Sequence, residues 1–278
     1  MRKRSIKLIW GMFVVFIIVF ILNLGFKSRI SATERMFFVL QLWAVILSII
    51  LIIKNKLPKK HYIKISIILS LLVVLSYSSM LSIQSYFKIA IFQMTIGFIV
   101  TLISSLAIFS TFEKFKEEKL IFLNTTTKKS VFVSILLGIG FGIVLGFINF
   151  LLGSINNTPN LHIRLSYFIV SLSPAIYEEV VMRSLFYAFC IHLMNGKIET
   201  KKQQLTCWFM MIIPHVIIHT PDTFIFAGVN EGILSIVVLA LIFGLPFAIL
   251  QRKRDITSAM IAHGLTDFIR FCFYGLPF

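Results

Sequence analysis

Long apolar runs separated by short polar and basic segments dominate the chain. Nine of them, near residues 8–26, 36–53, 65–84, 89–112, 130–153, 165–194, 205–220, 232–250 and 256–274, come close to the roughly 20 residues that a helix needs to cross a bilayer. The pattern predicts an all-α fold, a polytopic membrane helix bundle of about eight to nine transmembrane helices. The first run follows Arg2, Lys3, Arg4 and Lys7, as the core of a secretion signal would. It is too long for one and no small-residue cleavage site follows, so a retained helix is expected.

Composition agrees with a multi-pass membrane protein. Of 278 residues 58% are hydrophobic, the mean hydropathy is +0.94, and only 14% are charged, against about 25% in a soluble domain. The formal net charge of +16 would raise nucleic acid as a partner in a soluble chain. Here the basic residues sort by side. With the N-terminus in the cytoplasm, the inner segments hold Arg2 to Lys7, Lys54 to Lys64, Lys114 to Lys129, Lys197 to Lys202 and Arg252 to Arg254. The outer segments hold only Lys27, Arg29, Arg35, Lys88, Arg164 and Arg270. That asymmetry predicts a multi-pass protein of the cell membrane with a cytoplasmic N-terminus, and accounts for the charge with no nucleic acid. The lipid bilayer is the expected partner, the basic loops serving topology first and anionic lipid second. Cys190, Cys207 and Cys272 lie in apolar runs without C-x-x-C spacing and read as small core residues.

The chain divides in two. Residues 1–129 hold four spans without intramembrane charge and read as an N-terminal four-helix membrane scaffold. Residues 130–278 hold every candidate for chemistry. They begin with Gly138, Gly142 and Gly146, whose spacing of four puts them on one helix face and predicts close helix packing rather than a phosphate loop.

Within the sixth run, Glu178-Glu179-Val180-Val181-Met182-Arg183 places three ionisable residues where each ionised group costs about 2.5 kcal/mol or more at the bilayer centre. At 100° per residue Glu179 and Arg183 share a face and can pair, while Glu178 points away and is left to handle a proton. A purely structural ion pair would not need the second glutamate. His215 and His219 lie four apart in the seventh run, and His263 and Asp267 four apart in the ninth. His61, His162 and His192 fall at segment ends and are assigned no chemistry.

The order Glu-Glu-x-x-x-Arg, a histidine late in the next span, then His-x-x-x-Asp in a final span resembles the CPBP family of intramembrane proteases, also called the Abi or CAAX-protease family. The resemblance covers roughly residues 130–278. It implies an all-helical intramembrane endopeptidase acting on membrane-embedded or lipid-anchored peptides or proteins, with eukaryotic relatives that trim prenylated CAAX proteins. By motif, Glu178 matches the catalytic glutamate, Glu179 and Arg183 complete the first motif, and His263 and Asp267 match the last, Asp267 standing where some members carry asparagine. The middle motif departs from the family: Met211 precedes His215 by four, and His215 precedes His219 by four, where an aromatic is usual. His219-Thr220-Pro221 resembles the family's His-x-Pro ending and favours His219. Depth along the helix favours His215 instead.

Hydrolysis of an amide needs a water that loses a proton and a donor for the developing oxyanion. Glu178 with His219 can serve the first need, and His263 held by Asp267 the second. No cofactor is required on this reading. A zinc version is open, because histidines with carboxylate partners can hold that metal, although no His-Glu-x-x-His helix is present. Two other classes compete. A proton-coupled transporter would use the same buried groups, but residues 1–129 hold no counterpart of the charged cluster. A proteolytically silent bacteriocin-immunity or scaffold protein is the other.

Overall fold

In the computed structural model the described residues are 2–82, 87–115, 117–118, 120–155 and 157–276. Lys116 and Lys119 of one basic segment, and the last two residues of the third apolar run, lie outside them. All nine apolar runs form helix over most of their described length, and no strand occurs among the described residues. The helices are α1 (Arg2–Gly25), α2 (Ala32–Asn55), α3 (Lys60–Ser78), α4 (Phe87–Lys114), α5 (Lys128–Ser154), α6 (Leu165–Leu193), α7 (Lys201–Ile217), α8 (Pro221–Phe226), α9 (Val229–Lys253) and α10 (Ile256–Tyr274).

Local chemistry sets several of the starts. Ser31, Thr127 and Thr200 each cap a helix by accepting the backbone N–H three residues on, and Gln203 closes a capping box with Thr200. Seven of the described helices are long and apolar enough to span a membrane, namely α1 to α6 and α9. The two runs that fall short carry the candidate histidines. α7 has 17 residues and ends at Ile217, short of the expected 220, because Pro221 opens a separate short helix at a position that suits its missing N–H. α10 has 19 residues and includes His263, Asp267 and Arg270.

Among the spans α6 is set apart by burial. Of its most apolar window 56% is buried, against 33% or less in each of the other six, whose remaining surface is apolar and suits lipid. Together with the hydropathy this makes the chain a multi-pass membrane protein. α6 is also irregular: Pro174–Ser184 is π-helical. Pro174 has no N–H to close the normal bond four residues back, so the ladder widens to i→i+5 from that point. Glu178, Glu179 and Arg183 all sit on this wide turn. A second π turn, Ala240–Gly244, interrupts α9.

The chain packs as two compact units, and the division passes through α4, α6 and α9. The first comprises residues 1–58, 106–119 and 181–248, the second residues 59–105, 120–180 and 249–278. In the first unit α2 buries Ala32, Met36, Leu40, Ala44, Leu47 and Leu51, a stripe of helical period. Trp10 of α1 donates to Thr206 of α7 at 3.2 Å, and Asp222 of α8 accepts the N–H of Ala32 at 3.0 Å. In the second unit α5 packs along α10 through the glycine stripe. A Cβ at Gly138 would lie 2.8 Å from Ile261 Cβ, one at Gly142 2.8 Å from Leu265 Cβ, and one at Gly146 2.5 Å from Ile269 Cδ1. Carbon atoms ordinarily meet at about 3.5–4.0 Å, so these glycines are what lets the two helices approach.

Candidate active site

In the second unit α10 is fixed along its axis before it presents any chemistry. Asp255, fully buried, caps it by accepting the Ser258 N–H at 2.7 Å. Its other oxygen accepts the Asn124 N–H at 3.1 Å and the Ser134 hydroxyl of α5. Arg254 donates to the same hydroxyl at 2.7 Å. About two and a half turns further along, Gly264 faces α6 so closely that a Cβ would lie 2.9 Å from Ala175 Cβ. Packed against α5 on one side and α6 on the other, α10 delivers His263 to Glu179.

His263 Nδ1 lies 2.7 Å from Glu179 Oε1. A carboxylate only accepts, so the proton of that bond sits on Nδ1 and Nε2 is turned the other way. Nε2 then faces two further carboxylates, Glu178 Oε2 at 3.7 Å and Asp267 Oδ2 at 3.6 Å, both longer than a direct hydrogen bond. The two ring nitrogens thus have different partners. Glu179 is wholly buried and grips one of them, while Glu178 and Asp267 keep 16% and 18% of their side chains exposed.

Glu179 is itself held. Gln251, buried at the end of α9, donates from Nε2 to Glu179 Oε2 at 2.7 Å and to its carbonyl at 3.0 Å. Sequence reasoning missed Gln251, which stands next to Arg252-Lys253-Arg254 and reads as part of a solvated basic segment. The order Gln251, Glu179, His263 is that of a fixed donor, an orienting carboxylate and an oriented imidazole, a relation that serves acid–base chemistry at the far nitrogen.

The first unit holds the other candidates. Arg183, 1% exposed, donates from Nη1 to the Met211 carbonyl at 3.1 Å and the Gly244 carbonyl at 2.9 Å. Its Nη2 lies 3.1 Å from His215 Nδ1, and its guanidinium carbon stands 5.8 Å from the centre of the Phe247 ring. Arginine only donates, so Nδ1 of His215 is the acceptor and a neutral His215 carries its proton on Nε2. Gly244 belongs to the π turn of α9, where the ladder is already irregular. His215 is buried, whereas His219 lies beyond the end of α7, exposed. The two rings are 5.2 Å apart, and His219 meets Phe37 edge-on at 5.0 Å.

Residues 160–269 match the family model described as type II CAAX prenyl endopeptidase Rce1-like. No curated protein and no solved structure matches the chain. The matched stretch contains Glu178, Glu179, Arg183, His215, His219, His263 and Asp267.

Proposed function

We propose that this chain, which carries a Rce1-like CAAX protease domain over residues 160–269, is an intramembrane endopeptidase that hydrolyses peptide bonds of membrane-embedded or lipid-anchored substrates. The observation that carries the reading is His263, gripped at Nδ1 by the Gln251-supported Glu179 and facing Glu178 and Asp267 at Nε2.

Glu178 is the base. As the water oxygen bonds to the scissile carbonyl carbon, its proton passes to the Glu178 carboxylate, and the carbonyl electrons move onto the oxygen. His263 Nε2, when protonated, donates to that oxyanion, with Asp267 keeping the ring aligned. Collapse of the tetrahedral adduct breaks the C–N bond, and the proton held by Glu178 goes to the leaving nitrogen. Glu179 orients His263 and does not touch substrate. The histidine of the middle motif, His219 in first place and His215 in second, joins this scheme on motif order. Residues 1–129 serve as scaffold for a protease domain in 130–278, and the reaction needs no metal.

Purified chain in proteoliposomes should cleave a transmembrane or lipid-anchored peptide and should not drive proton-coupled uptake. Uptake without cleavage would select the transporter reading instead.

A further inference from the structure

A cavity of about 450 Å³ lies in the first unit, between α1, α2 and the C-terminal half of α6, and the proteolytic scheme makes no use of it. Its walls include Leu8, Met12, Trp43, Ile46 and Phe189. Phe189 is buried, while Leu8 and Ile46 are about half exposed, so the cavity opens to the surface of the unit. That surface is apolar and suits lipid. An apolar slot of this kind accepts an alkyl chain.

One end departs from the pattern. Lys54 and His192 line the cavity there, and Lys114 joins them through Asn55. Asn55 Oδ1 accepts from Lys114 Nζ at 2.9 Å and lies 3.0 Å from His192 Nδ1, and Lys114 Nζ also donates to the Lys54 carbonyl at 3.1 Å. Among the described residues Lys114 Nζ donates only to these neutral oxygens, and it stands 5.2 Å from the centre of the Phe115 ring. In the neighbouring segment Glu117 pairs with Lys197 at 3.4 Å and Glu118 accepts the Tyr187 hydroxyl at 3.4 Å, while Glu113, next to Lys114 in sequence, turns one carboxylate oxygen inward. Lys54 in the wall and Lys114 beside its carbonyl thus bring two lysines to the end of an apolar slot, where a bilayer presents phosphate at the end of an acyl chain. Basic pockets between membrane helices select anionic headgroups by this charge match.

We propose that this cavity is a binding site for an anionic glycerophospholipid of the surrounding bilayer, one acyl chain lying between α1, α2 and α6 and the phosphate resting on Lys54 and Lys114. The site does not depend on the proteolytic reading, and its test uses no cleavage.

The full chain, delipidated in mild detergent, is titrated with phosphatidylglycerol and with phosphatidylcholine of the same acyl chains, and bound lipid is counted by native mass spectrometry. Phosphatidylglycerol should bind about five- to thirtyfold more tightly, the preference expected of one or two lysines near a phosphate. Lys54→Ala, and Lys54→Gln should the first fold poorly, should remove most of the preference. Ile46→Trp, which fills the slot, should weaken both lipids, and Lys64→Ala, an equal loss of charge in the other unit, should change neither. Equal binding of the two lipids by the unmodified chain would overturn the site. So would a preference that survives both Lys54 variants, falls as much with Lys64→Ala, or persists at full affinity with Ile46→Trp.

Discussion

Gly142 gives a test in which the size of the effect follows from the geometry. A Cβ placed there would lie 2.8 Å from Leu265 Cβ and 3.0 Å from the carbonyl oxygen of Ala262, neither of which can swing aside. Restoring ordinary contact requires α10 to retreat by roughly 1 Å at residues 262–265. Ala262 adjoins His263, whose bond to Glu179 is 2.7 Å, so a displacement of α10 by that amount away from α5 takes the pair out of its hydrogen-bond geometry. Overpacking of this kind costs about 1–3 kcal/mol, and a misplacement of about 1 Å at a catalytic group can cost up to 100-fold in rate. Gly140, on the same helix, has nothing within 4 Å of its would-be Cβ. Gly142→Ala should lower the thermal midpoint and reduce peptide cleavage at least tenfold. Gly140→Ala should change stability by no more than about 1 kcal/mol and leave cleavage intact. The assay is cleavage in proteoliposomes with the melting curve of each purified variant beside it. Equal behaviour of the two variants would refute the claim that the glycine stripe sets the position of His263.

Three further outcomes are expected. Arg183→Ala strips the Met211 and Gly244 carbonyls and His215 Nδ1 of a charged donor, and should cost about 3–5 kcal/mol and lower abundance, with Arg183→Lys recovering part; an Arg183→Ala protein that melts like the unmodified one would contradict the buried role. His219→Ala should lose activity as fully as loss of Glu178 does, while His215→Ala keeps a measurable fraction; the reverse order of rates in the same cleavage assay would make His215 the middle-motif histidine. Elemental analysis of purified active protein should find no stoichiometric metal, and activity lost on stripping and restored by zinc alone would turn the histidines into ligands.

Much of the fold is legible because helices that face lipid must be apolar over a fixed length, and that constraint is written in consecutive residues. The glycine stripe is legible for a related reason: a spacing of four is a face. His263 and Asp267 are found together by the same rule, at 3.6 Å. Within Pro174–Ser184 the helix widens to a π turn, which no hydropathy pattern announces. Gln251 and Asp255 are illegible for another reason. Each lies in or beside a run of arginine and lysine that reads as a loop, yet their partners, Glu179 and Ser134, are far off in sequence and only packing brings them together. The carbonyls of Met211 and Gly244 that receive Arg183 have no side-chain signature at all.

The most direct test of the proteolytic reading is Glu178→Gln. Glutamine keeps the shape of the side chain and cannot take the water's proton. Membrane peptides from cells making the unmodified chain and from cells making Glu178→Gln at equal abundance are compared by mass spectrometry. The account predicts a set of cleavage products present in the first and absent from the second, with the variant inserted and stable. Identical product sets, or undiminished turnover by the purified variant, would contradict it.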